Sequence, residues 1–337
     1  MGANRIGKST LVFNNKPRVH SWSSIVGYKE GQGPLAHTFD IVLDKDDTLG
    51  EKSWEKAERK MYKEAVKLAM HKGGKHPDEV QALLGGDLLN QIITASFAAR
   101  DLGLPFLGMY NACSTMSESM LVGAALVDGG YVDCAACAVS SHFSTAERQY
   151  RSPLELGSQR TPTQQWTVTG AGCTILCNDP AGIAVTHGTI GTVVDYGVTD
   201  ANNMGAAMAP AAASCLKTHL EDMACSPDDY DLIVTGDLGH LGHGILIELM
   251  KQEGITLGSN YIDCGREIFA ESQDVHAGGS GCASSAVVLN GYIMEKFIRR
   301  EIKKVLFMAT GALLSPTSSM QGDSIPGIAH AVVLEGG

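Results

Sequence analysis

Gly85-Gly86-Asp87-Leu88 closes an apolar run, Val80 to Leu84, and Gly236-Asp237-Leu238 closes another, Asp231 to Thr235, 150 residues further on. Each run is short, apolar and followed by a helical pattern, which reads as a buried strand entering a helix. The surroundings repeat as well. Thr48 to Gly73 reads as an amphipathic helix: Thr48 and Glu51 form a capping box, Trp54, Ala57, Met61, Ala65 and Leu68 recur at helical spacing, and Gly73-Gly74 stops it. Met204 to Leu220, with Pro210 in its first turns, takes that place in the second half.

After the paired motifs come helical stretches, Asn90 to Arg100 and His243 to Glu253. The strand Phe106 to Tyr110 then leads to the corner Asn111-Ala112-Cys113-Ser114, matched later by Gly278-Gly279-Ser280-Gly281-Cys282. Each corner opens a helix of small or apolar residues, Met116 to Val127 and Ala283 to Ile298, and a strand follows, Val132 to Val139 and Val305 to Thr310. A repeat of this length means two similar halves, since a solenoid needs shorter periods. Helices apolar nearly all round are buried, and alternating strands and helices build sheets covered on both faces. The expectation is an α/β body of five layers, αβαβα, with pseudo-duplicated halves at 1–180 and 181–337.

Composition narrows the function. The chain has 337 residues and a formal charge of 26 minus 37, or −11, with 6% aromatics. Nucleic-acid binders need a basic stripe and stacking aromatics, and neither is present. No stretch approaches the roughly 20 apolar residues of a membrane span, and Met1 to Arg18 is too polar for a signal-peptide core, so a soluble protein is expected. Glycine stands at 39 residues, about 12% against a usual ~7%, and gathers at the ends of apolar runs.

The nine cysteines, scattered in a chain without an export signal, are expected to be reduced. Cys134 with Cys137 and Cys173 with Cys177 have metal-like spacings, but Cys134 and Cys137 lie in an apolar strand-like run and neither pair sits on a polar knuckle. Gly2 to Thr10 satisfies the phosphate-loop pattern GxxxxGK[ST], yet only Met1 precedes it and a strand and turn follow, so no phosphate site is expected.

Cys113 stands between a strand and a buried helix. Unpaired N–H groups and the positive helix end would lower its pKa there, and such corners present nucleophiles. A packed core cysteine is the competing reading.

The duplicated halves, the Cys at the first corner and HAGGSGCASS at the second resemble the thiolase superfamily. GGDLLNQ (85–91), NACSTMSESM (111–120), LVDGGYVDCA (126–135), SSHFSTAERQYRSP (140–153), TVTGAG (167–172), GSGCASSAVV (279–288) and ATGALLSPTS (309–318) more narrowly resemble the stage V sporulation protein AD family of spore-forming bacteria. The resemblance implies a thiolase-like fold and binding of dipicolinic acid (pyridine-2,6-dicarboxylate), serving its uptake into the developing spore. It also implies membrane proteins of the same sporulation system as partners, a homodimer, and a place at the forespore or spore inner membrane, held peripherally through those partners. No cofactor is expected.

An acyl-transfer enzyme is the alternative. It would need a base and an oxyanion donor beside Cys113, and His240, His243 and His276 lie in plausible segments. GHPxGxSGAR is echoed only loosely at His276 to Ala283, however, and GNTSAAS is missing. For binding, a flat dianion calls for local donors. Cys113 and Ser114 at one corner, and Gly279 and Ser280 at the other, are the expected contributors. His142 and Arg148 are the expected side chains from the segment after a strand, arginine because it pairs with carboxylates bidentately. Asp87 would orient a donor, cap its helix as Asp237 would cap its own, or meet Ca2+ accompanying the ligand.

Overall fold

The computed structural model describes residues 4–150 and 160–337. Gly2, Ala3 and the Arg151-Ser152-Pro153 end of one motif lie outside the described residues. Ten strands carry the fold: β1 (Arg18–Val26), β2 (Ala82–Gly86), β3 (Phe106–Gly108), β4 (Cys134–Ser141), β5 (Gly170–Cys177), β6 (Ile183–Thr189), β7 (Leu232–Thr235), β8 (Tyr261–Asp263), β9 (Lys304–Ala312) and β10 (Gly327–Glu335). They form two leaves of identical plan. The order β3-β2-β4-β5-β1 in the first is β8-β7-β9-β10-β6 in the second. In both, the first three strands run parallel and the last two pair antiparallel.

The expected separation into two sheets is softened at one seam. Ile183 pairs with Val19 and Ala184 with Arg18, so the leaves join through β1 and β6 into one sheet of 13 strands, short ones included. Helices α1 (Trp54–Lys72) and α2 (Ile93–Leu102) cover the outside of the first leaf, and α5 (Met204–Met223) and α6 (Gly239–Gln252) the outside of the second. Between the leaves lie α3 (Thr115–Asp128) and α7 (Cys282–Val288), and a short α4 (Phe143–Tyr150) follows β4. Met116, Met120, Ala283, Val287, Leu84, Val139, Phe307 and Val332 meet there in one buried cluster. The layers are α, β, α, β, α, because only helices without a polar face can sit between two sheets.

Local readings needed several corrections. Helix α1 begins at Trp54, capped by Ser53, whose Oγ accepts from Lys56 N–H. Thr48 instead donates to Asp46 in a turn ahead of it. Helix α6 starts four residues before His243, and the Ala283 to Ile298 stretch widens into a π-turn at Leu289–Ile293. The thiols are not all reduced: Cys134 and Cys177, directly opposed on β4 and β5, form a disulfide. At the phosphate-loop look-alike, Lys8 and Ser9 donate their N–H groups to Asp222 and a strand follows, so a carboxylate takes the anion's place.

Candidate functional site at the two corners

The two corners meet across the core. At the first, β3 ends and Ala112 takes φ +51°, a conformation costly for a residue with a Cβ, immediately before Cys113. Behind it, Gly191 N–H donates to His330 Nδ1 at 3.2 Å, and the Asn111 side-chain amide stands 2.9 Å from Nε2 of the same ring. The Asn111 backbone carbonyl accepts from the N–H and Oγ of Ser114. At the second corner, Gly279–Ser280 pairs with Trp166–Thr167 in a short two-stranded sheet. Gly281, at φ +102°, then brings the backbone so close to Ser141 that a Cβ would stand 2.7 Å from its Oγ.

Asp237 links the two. Its Oδ2 accepts from Gly281 N–H at 2.9 Å, its Oδ1 from Thr310 Oγ1 at 2.8 Å, and it faces the Cys113 thiol. Burial raises its pKa to about 6 against the pull of those donors. Cys282 lies on the other side of Cys113, its Sγ donating to the Ala112 carbonyl at 3.2 Å. Hydrogen bonding to Cys282, then burial, then the Asp237 charge push the Cys113 thiol well above its usual range. The expected lowering is therefore corrected: a buried carboxylate and a second sulfur outweigh the helix end.

Cys113 and Ser280 open into one cavity of about 270 Å³. Its wall is largely apolar (Leu88, Ala146, Met204, Leu313, Leu314), with hydroxyls from Tyr110, Tyr150, Thr167, Ser280, Ser315 and Ser318. No arginine, lysine or histidine among the described residues lines it.

The other predicted residues lie elsewhere. Asp87 is buried and accepts from the N–H groups of Leu89 and Ala95, so it caps the start of α2. The symmetry expected of Asp237 fails, because Asp263 receives Leu238 and Gly239 N–H and caps α6. Ser114 is fully buried on Asn111, and Gly279 spends its carbonyl on Gln165 Nε2 at 2.7 Å. His142 bonds the Asp47 carbonyl and takes Ser144 N–H. Arg148 pairs with Glu55 over the Trp54 ring.

None of the three candidate histidines reaches Cys113. His240 and His276 flank a separate surface hollow, with His276 bonded to the Thr161 carbonyl and Asp274. His243 lies flat on Tyr261, 4.5 Å between ring centres, its pKa lowered to about 4 by burial and by Arg266. Sequence reasoning missed the neighbours of Cys113, namely Asp237 and Cys282, and Thr310, which donates to Asp237. The Gly-Asp-Leu repeat was the signal for Asp237, which the sequence offered only as the capping equivalent of Asp87.

A strand–corner–buried-helix unit written twice, with its cysteine facing the second corner, defines a thiolase-like protein. Solved structures agree at the level of fold. A 3-oxoacyl-[acyl-carrier-protein] synthase III from Aquifex aeolicus superposes with a TM-score of 0.58 at 12% identity, over 95% of this chain and 99% of that one. A variant of OleA from Xanthomonas campestris gives 0.62 at 14%, over 96% and 99%. Within that class the sequence is specific: the family model of stage V sporulation protein AD matches residues 7–335. Stage V sporulation protein AD of Bacillus subtilis (strain 168) is 46% identical over 329 residues, 98% of this chain and 97% of that protein. The chain belongs to the stage V sporulation protein AD family.

Proposed function

We propose that this sporulation-family protein binds pyridine-2,6-dicarboxylate in the Cys113 cavity and serves its uptake into the developing spore, without acyl-transfer chemistry. The observation that carries the reading is the pairing of a small, hydroxyl-bearing cavity with a disarmed thiol. A volume of about 270 Å³ lies just under the roughly 300 Å³ at which drug-sized sites begin, which suits one small ring. Cys113 is held as a thiol beside Asp237 and Cys282, and no histidine among the described residues lines the cavity, which speaks against the cysteine–imidazole pairing of a thioester step. A wall that shows no cationic side chain among the described residues suits the ligand with its charge offset, as its calcium chelate, in which the ion takes oxygen ligands.

No helix among the described residues is long and apolar enough to cross a membrane. Attachment at the forespore membrane would then run through membrane proteins of the same system, and a homodimer fits the thiolase-like class.

Titration calorimetry with the dicarboxylate, with and without Ca2+, tests the reading, and absence of heat at millimolar ligand in both arms would sink it. Cys113→Trp should fill the cavity and abolish binding while the circular dichroism spectrum stays unchanged. Incubation with short acyl-CoA should leave Cys113 unmodified by mass spectrometry, and a thioester there would favour the enzyme instead.

A further inference from the structure

We propose that reduction of the Cys134–Cys177 disulfide opens a zinc-type metal site made by Cys177, His20 and Asp179. The site lies at the start of β4, the far end of that strand from Ser141, whose Oγ accepts from Ala283 N–H beside the Cys113 corner. The ligand atoms of His20, Cys177 and Asp179 already fall within 4.8 Å of one another. Three groups of different chemistry meet there, a soft sulfur, an imidazole and a carboxylate, and this is the mixture that selects zinc over calcium or magnesium.

The backbone aims His20 at this point by an irregularity. Val19 pairs with Leu176 and Ser21 with Ile175, so His20 is the extra residue of a β-bulge in β1. Bulges re-aim one side chain and accumulate beside sites. The ring stands with Nε2 2.9 Å from the Gly73 carbonyl and Nδ1 2.6 Å from Asp179 Oδ2. Both ring nitrogens face acceptors, Nε2 donating to that carbonyl and Nδ1 to the carboxylate, and a cation that takes the place of the Nδ1 proton would bind ring and carboxylate together. The carbonyl bond is also the outer contact that orients a metal-bound histidine. Two ligands at about 2.0 Å on a tetrahedral ion stand roughly 3.3 Å apart, within a small rotamer adjustment of the present separation. An entry path exists, since a surface hollow lined by His20, Trp22, Asp179, Pro180 and Ile298 opens on the cluster.

The chemistry balances with a dithiol as reductant. The dithiol gives two electrons and two protons to the Cys134–Cys177 bond, leaves as its own cyclic disulfide, and frees both thiols. Metal binding then displaces the Cys177 thiol proton to solvent. A water from the surface hollow would complete the fourth position.

Cobalt(II) titration of the whole chain tests this, after anaerobic treatment with dithiothreitol and desalting. A sulfur-to-cobalt charge-transfer band should rise to one equivalent in the reduced protein, stay absent in the unreduced protein, and collapse on adding zinc. Cys177→Ser should remove the band. His20→Ala, or Asp179→Asn should the first not fold, should weaken binding at least about tenfold with an unchanged circular dichroism spectrum. Absence of a one-equivalent band after reduction overturns the proposal. So does a band indifferent to both the His20 and Asp179 variants, because the ion would then sit on other thiols.

Discussion

Cys113 stands at a strand-to-helix corner, where a nucleophile could be presented, yet its surroundings disfavour the thiolate. The decisive neighbours are Asp237 and Cys282, because a buried negative charge and a competing sulfur both disfavour a thiolate. Alkylation of Cys113 by iodoacetamide, followed by peptide mass spectrometry, should therefore be slow near neutral pH. Its rate should climb about tenfold per pH unit between pH 7 and 9, as expected for a thiol still below its pKa. A rate flat over that range would mean that the thiolate already exists and would revive the enzyme reading. Asp237→Asn should raise the rate at any one pH, since it removes a charge that holds the proton in place.

At the level of elements, close approach rather than propensity positions the corners. Gly85 in β2 sits at φ +152°, and a Cβ there would stand 1.7 Å from the Ala138 carbonyl on β4. Gly85→Ala must strain the backbone and part the two strands, so a loss of more than about 3 kcal/mol is expected from urea unfolding. A near-neutral result would show that β2 and β4 can separate without cost to the core. Ser53 offers a milder contrast. Its single cap bond to Lys56 N–H is exposed, and Ser53→Ala should cost about 1 kcal/mol in the same measurement. An unchanged midpoint would instead make the cap irrelevant to the stability of α1.

Across the whole molecule, buried acids are distributed over both halves. Burial raises the pKa of Glu30 to about 7 and Glu58 to about 8 in the first, and Asp237 to about 6 and Asp263 to about 7 in the second. Glu58 accepts from Ser140 Oγ and Thr145 Oγ1 and also feels Asp87. The folded protein thus keeps protons that the unfolded chain releases near the ordinary glutamate value of 4.5. The contribution of these carboxyls is fully present below that value and falls as pH rises through the folded values toward 8. Burial lowers the pKa of His219, His243 and His330 to about 4, which opposes this trend up to the ordinary histidine value of 6.5, so thermal unfolding should show a decreasing midpoint between about pH 6.5 and 8. Glu58→Gln, which leaves a neutral group on the same hydroxyls, should flatten the upper part of that slope. A midpoint that rises with pH across that range would contradict the burial of these carboxyls.

The amino-acid sequence by itself determined the duplicated order of strands and helices and the burial of the two corner helices. These follow from periodicity and from small residues at repeated places, which depend only on neighbours in the chain. The tertiary structure alone decided which side chains share the cavity. Asp87 and Asp237 end equivalent strands, but a backbone N–H pair claims the first, whereas Gly281, Thr310 and Cys113 claim the second. His240, His243 and His276 were plausible by spacing, but His240 lines a separate hollow, His243 lies on Tyr261 and His276 bonds the Thr161 carbonyl. The Cys134–Cys177 bond depends on the register of β4 against β5, which no count of cysteines carries. The physical reason is common to all of these. The site is assembled by contacts between halves more than a hundred residues apart, and a symmetric sequence motif does not say which copy the other half will meet.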